Sequence, residues 1–91
     1  MIWVKRHGKV LAACDKNLVG KTLQEGKLEV EVRESFYKGE LISEEKLSEL
    51  LDMTDNINLI GENCIRVAKG KSLIADVRKI QGVPVALIFK I

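Results

Sequence analysis

The chain has 91 residues, 46% apolar and 31% charged, with one proline and seven glycines, which supports one small folded domain over residues 1–91 and excludes a disordered chain. No apolar run approaches the roughly 20 residues of a membrane span, and the start lacks the apolar core and cleavage site of a secretory signal, so a cytoplasmic location and no membrane partner are expected. The net charge of +2 is unevenly spread: residues 1–24 carry five bases against Asp15, residues 25–62 carry eleven acids against four bases, and residues 63–91 carry six bases against Asp76. Two basic ends and an acidic middle make a positive face wherever the ends meet.

Ile2 to Lys5 and Lys9 to Cys14 flank Arg6-His7-Gly8, which predicts a hairpin with His7-Gly8 as its two-residue loop. In that register Ile2 and Val4 share a face with Leu11 and Ala13, while Trp3 and Lys5 share the other with Val10 and Ala12. Trp3 beside a basic tip has two readings, a stacking platform for a base or cation and a core ring; the core is the expectation in so small a domain.

Asp15 fits an N-cap for one helical turn over Lys16 to Val19, ended by Gly20. Gly20-Lys21-Thr22 has the tail of a phosphate-binding loop, but Asp15 stands where that loop needs its first glycine, so no nucleotide cofactor is expected. Glu25-Gly26 reads as a turn. Leu28, Val30 and Val32 then alternate with Glu29, Glu31 and Arg33 as a strand with one wet face.

Phe36 to Glu40 reads as a glycine-containing loop with two adjacent aromatics. A helix follows over about 43–53, with Ser43 as N-cap, Glu44 and Glu45 at its positive end, Ile42 stapled to Leu47, and Leu47, Leu50 and Leu51 as the buried stripe. Glu49, Asp52 and Asp55 lack the spacing of a calcium loop.

Ile57 to Ala68 is the hinge of the sequence. As one helix from Asp55 it buries a stripe including Ile57, Ile60, Cys64 and Ile65; as a strand, a turn at Gly61 and a helix over 61–71, it leaves N–H groups free at the helix start. The strand, turn and helix reading is preferred because Leu51 to Asp55 looks like a helix end followed by a break. Glu62 in the first turn disfavours a phosphate there on either reading. Asp76 to Ile80 and Val83 to Lys90 then form a hairpin around Gln81-Gly82, and Val85 to Phe89, apolar on both faces, is expected to be a central strand covered on both sides.

The architecture that follows is a single α+β domain, with a mostly antiparallel mixed sheet (hairpins near 2–14 and 76–90, a strand near 28–32) and two main helices packed on it. Cys14, Cys64 and His7 have no metal-ligand spacing, so reduced core thiols and no metal are expected.

Ile2-Trp3-Val4, Gly20-Lys21-Thr22 with Glu25-Gly26, Phe36-Tyr37-Lys38-Gly39-Glu40, Asn58-Leu59-Ile60-Gly61-Glu62 and Gly82-Val83-Pro84 occur in an order that is specific as a set. On these the chain resembles an archaeal family catalogued as domain of unknown function number 424. The resemblance implies a compact archaeal cytoplasmic protein of unassigned activity with a connection to RNA or translation. The family pattern often has a histidine after the Gly-Val-Pro; here that place holds Val85.

The residues present no nucleophile with a base, so catalysis is not expected. The expected function is RNA binding, in a translation or ribosome-associated role, through Lys5, Arg6, Lys9, Lys69, Lys71, Arg78 and Lys79. Its partner would be ribosomal or transfer RNA or a ribonucleoprotein. The alternative is a protein adaptor with Phe36 and Tyr37 as an exposed anchor beside the acidic middle.

Overall fold

The computed structural model describes residues 1–73 and 76–90. Strands β1 (Ile2–His7) and β2 (Val10–Asp15) pair antiparallel, with Val4 opposite Ala13 and His7 opposite Val10. The loop is therefore Gly8-Lys9, one residue beyond the expected His7-Gly8. Gly8 has φ +58° while Lys9 does not have a positive φ, so the turn takes glycine at its first central position, as a type II′ turn requires. Partners move by two residues, an even slip, and the two faces keep the expected residues.

β2 has a second neighbour far along the chain. It pairs in parallel with β6 (Asn56–Ile60), Cys14 opposite Ile60, and β6 pairs antiparallel with β8 (Val83–Phe89). β5 (Glu40–Ile42) flanks β1, and β7 (Arg78–Ile80) flanks β8, giving the order β5-β1-β2-β6-β8-β7. The turn between β7 and β8 is Gln81-Gly82, as expected.

The strand expected near 28–32 is not in this sheet. It is β4 (Leu28–Glu31), which pairs with β3 (Thr22–Glu25) as a separate two-stranded sheet. Its wet face and short length fit a covering flap better than a sheet member.

One face of the six-stranded sheet is covered by α2 (Glu44–Asp52) and α3 (Glu62–Gly70). Ser43 Oγ accepts the Lys46 N–H at 3.1 Å, and Ile42, Leu47 and Leu51 enter the core with Ile2, Val4, Leu11, Ile57, Leu59 and Ile65. The staple and stripe of this helix are as its sequence implies. Lys90 extends its N–H to the Asp55 carbonyl at 2.9 Å and its ammonium to the Leu51 carbonyl, placing a cation at the negative end of α2.

The opposite face is covered at only one end, by the β3–β4 flap, a 3-10 turn over Lys16–Leu18 and the four-residue helix α1 (Glu34–Tyr37), where a loop was expected. Beneath them lies a second core of Cys14, Leu18, Leu23, Val32, Tyr37, Ile60 and Ile80. The expectation that β8 is covered on both sides is corrected here, since Leu87 is 65% and Phe89 75% exposed. The covering strands are four residues long and do not reach that far.

Candidate functional site

The preferred reading of the central stretch holds: β6 ends at Ile60, Gly61 turns with φ +114°, and α3 starts at Glu62. The helix start is occupied from within. Asp15 is 5% exposed, and its carboxylate oxygens accept the Asn63 and Cys64 N–H groups at 3.0 Å each. Its side chain caps α3, not the neighbouring 3-10 turn, to which it makes no bond. A fixed carboxylate thus satisfies the donors that an external anion would use, so the start of α3 is closed to phosphate.

The same carboxylate bears on the two thiols. Burial pushes the Cys14 thiol from 9.0 up to about 12, with the adjacent Asp15 charge adding to the rise. Burial also raises Cys64, followed by the charge and hydrogen bond of Asp15. Both thiols are free and buried, Cys14 in the second core and Cys64 in the first, on opposite faces of the sheet. Such thiols are protonated and unreactive at neutral pH.

Charge collects at the opposite pole, where the β1–β2 turn, the ends of α2 and α3 and the end of β8 lie. Lys71 meets Asp52 at 2.9 Å, which brings the two helix ends together, and Arg6 donates to Thr54 Oγ1 at 3.3 Å. Arg6, Gly8, Lys9, Met53, Thr54, Asp55 and Asn56 line a shallow cleft of about 250 Å³. Lys69 is exposed on the outer side of α3 with Glu62 and Arg66.

The seven expected RNA-binding residues do not form one surface. Strand alternation sends Arg6 to the helix-covered face and Lys5 to the other, where its ammonium donates to the Ser35 carbonyl at 2.9 Å. Arg78 lies opposite Val85, on the side of the second core, and Lys79 opposite Pro84, on the helix side. The grouping that the structure makes is therefore Arg6, Lys9, Lys69 and Lys71 on the helix side, joined by Lys90, and Lys5 with Arg78 on the other face. Lys79 is on the helix side but at the opposite pole, beside Pro84 and Gly61. Among the described residues, Lys9, Lys69, Arg78 and Lys79 make no side-chain ion pair or hydrogen bond.

The aromatic expectations change more. Tyr37 is 6% exposed and belongs to the second core, where burial and then the neighbouring thiols push its hydroxyl from 10.0 up to about 12. Phe36 is half-buried and stacks on His7, ring centres 4.4 Å apart and planes 8° from parallel, while His7 Nε2 donates to the Phe36 carbonyl at 2.8 Å. The pair is a plug over β1 and β2, and the exposed anchor of the adaptor reading is absent. Trp3 packs against the second core with the Lys38 ammonium 5.5 Å from its ring centre, so its ring is a core element with its own cation.

Sequence reasoning passed over the uncovered end of the sheet, which is Asn56 and Asn58 of β6 with Leu87 and Phe89 of β8. The β1–β2 side of that face is covered by α1, with Ala12 0% exposed. Registers place His7, Val10, Asn56 and Phe89 in one cross-strand row, and Lys5, Ala12, Asn58 and Leu87 in the next. The third row, Trp3, Cys14, Ile60 and Val85, already runs under the flap. The signal was present in Asn-Ile-Asn-Leu-Ile: asparagine is a poor strand former, yet it holds both open-face positions of a central strand.

Among the described residues no group of three or more His, Cys, Asp or Glu could hold a metal, and no helix is long and apolar enough to cross a membrane. No curated protein matches the chain. Its fold is similar to the crystal structure of an uncharacterized conserved protein from Methanopyrus kandleri, with a TM-score of 0.77 and 24% identity over 97% of this chain and 90% of that one. The match of residues 3–91 to the family described as protein of unknown function (DUF424) places this chain in that family.

Proposed function

We propose that this protein is a non-catalytic RNA-binding module, serving ribosomal or transfer RNA or a ribonucleoprotein of translation, and that it binds through the basic pole. The observation that carries the reading is the gathering of cations from both chain ends at one end of the sheet. Arg6 and Lys9 come from the first turn, Lys69 and Lys71 from the end of α3, and Lys90 from the end of β8. Asp52 and Asp55 also stand at this pole, leaving five cations against two carboxylates there among the described residues. Asp15, Glu62, Glu44 and Glu45 lie at the starts of α3 and α2, where Arg66 bridges Glu44. A dipolar arrangement of this kind orients a polyanion toward one end and repels it from the other.

Lys9 and Lys69 are the most direct probes, being exposed and without a partner among the described residues. Replacing both by glutamate is expected to weaken RNA binding at low salt at least tenfold, and to flatten the dependence of log affinity on log salt by about two phosphate contacts. Unchanged affinity and slope, measured by fluorescence anisotropy across a salt series, would remove the basic pole as the binding surface. Lys71 is a weaker probe because Asp52 neutralises it.

A further inference from the structure

We infer that the uncovered end of the sheet is a stacking floor for unpaired RNA nucleotides, with Phe89 as the stacking ring and the Asn56 and Asn58 amides as groups that bond base edges. This rests on the RNA-binding reading above and names the form of RNA bound.

Four features converge on it. Phe89 and Leu87 are 75% and 65% exposed on a sheet face, whereas the residues alternating with them, Ala86 and Ile88, are 4% and 5% exposed beneath the helices. Asn56 and Asn58 stand beside them, opposite Phe89 and Leu87, and neither amide is hydrogen-bonded among the described residues. The open part of the two rows lies on the neighbouring strands β6 and β8, because Ala12 is 0% exposed in the second core and α1 covers β1 and β2 through the His7–Phe36 stack and the Lys5–Ser35 bond. A cation stands at its margin: Arg78 lies opposite Val85, one row away on the same face, and makes no side-chain ion pair or hydrogen bond among the described residues.

Chemistry decides the occupant. A second copy of the chain meeting on Phe89 and Leu87 would also bury both asparagine amides against apolar rings, which is unfavourable without new polar partners. Unpaired nucleotides supply the match for each group: π-faces for Phe89, polar edges for the amides, and phosphates for the cation. A duplex hides its base faces and offers Phe89 nothing. A hollow of about 600 Å³ lined by Asp76, Val77, Arg78, Val85, Ala86 and Leu87 adjoins the floor and leaves room for the strand to continue.

The test measures anisotropy of an end-labelled, unstructured mixed-sequence oligoribonucleotide and of a blunt RNA duplex, against the intact chain and its Phe89→Ala and Phe89→Trp variants, with sedimentation of each protein alone. Phe89 is exposed, and circular dichroism confirms that the variants remain folded. Tighter binding of the single strand, a loss of roughly 5- to 150-fold on Phe89→Ala, retention on Phe89→Trp and an unchanged duplex affinity are the expected results. Equal affinity for strand and duplex, with Phe89→Ala neutral, overturns the stacking floor and leaves RNA binding by the basic pole standing. No salt-dependent binding of either RNA overturns both. Loss of a dimer on Phe89→Ala, with RNA binding unaffected, assigns the patch to a second copy and overturns the floor alone.

Discussion

Asp15 and Gly61 form a pair in which each residue requires the other. The Asp15 carboxylate accepts two N–H groups at the start of α3 while 5% exposed, and a Cβ on Gly61 would lie 2.3 Å from its Cγ. Asp15→Ala removes two charge-assisted bonds and the anion at a helix start, and leaves donors in a poorly hydrated site. Partial hydration offsets some of this, so the expected cost is about 2–4 kcal/mol. For a domain of this length that is a large part of the total stability, and it lowers the midpoint of thermal unfolding by about 10–25 °C. Gly61→Ala alone meets both the carboxylate and a backbone at φ +114°. In the double variant the clash is gone and only the backbone term remains, so the two costs should sum to more than the double variant shows, by at least ~1 kcal/mol. Urea unfolding of the four proteins closes the cycle. If Asp15→Ala costs under about 0.5 kcal/mol, or the two changes add, the carboxylate is not holding the helix start.

Two further predictions concern stability. The thiols of Cys14 and Cys64 are protonated in the fold, with Cys14 raised from 9.0 to about 12, so the unfolded chain loses protons first as pH rises. Their contribution is complete below pH 9 and is lost as pH climbs toward 12, at up to about 1.4 kcal/mol per pH unit for each thiol; flat urea midpoints between pH 8 and pH 11, or native thiols that react with a disulfide reagent as fast as unfolded ones, would contradict this. On α2, Ser43→Ala should cost about 1 kcal/mol through loss of the cap, and Leu51→Ala, at a fully buried position, about 2–5 kcal/mol; denaturant midpoints that rank them the other way would refute the burial argument.

What could be read from the residues depended on how local the cause was. Helix α2 carries its cap, staple and stripe within ten residues, and the break over Leu51 to Asp55 favoured a strand and a turn at Gly61 over one continuous helix, so both were legible. The faces of the first hairpin survived a misplaced turn because a two-residue slip preserves alternation. Causes distant in sequence were hidden. Nothing near Asp15 says that its carboxylate reaches Asn63 and Cys64, and although Glu25-Gly26 marks a turn before Leu28, nothing local says that the hairpin it makes stands apart from the main sheet. The run Val85 to Phe89 is apolar on both faces, and only the reach of a four-residue flap decides that Leu87 and Phe89 stay bare. The basic residues were identified by charge, but adjacency along a strand means opposite faces, which separates Lys5 from Arg6 and Arg78 from Lys79.

The parallel pairing of β2 with β6 has a consequence for the order in which the chain assembles. The first hairpin forms from neighbours, yet Cys14 waits for Ile60, and the whole flap, α1, β5 and α2 must be made in between. Until then the outer edge of β2 is an unpaired strand lined with Leu11, Ala12 and Ala13, a template for the wrong partner. Contacts between such distant segments make closing the sheet centre the slow step of folding. A newly synthesised chain is therefore most vulnerable to aggregation in the interval before β6 emerges, and the α3 start cannot be capped before that moment either.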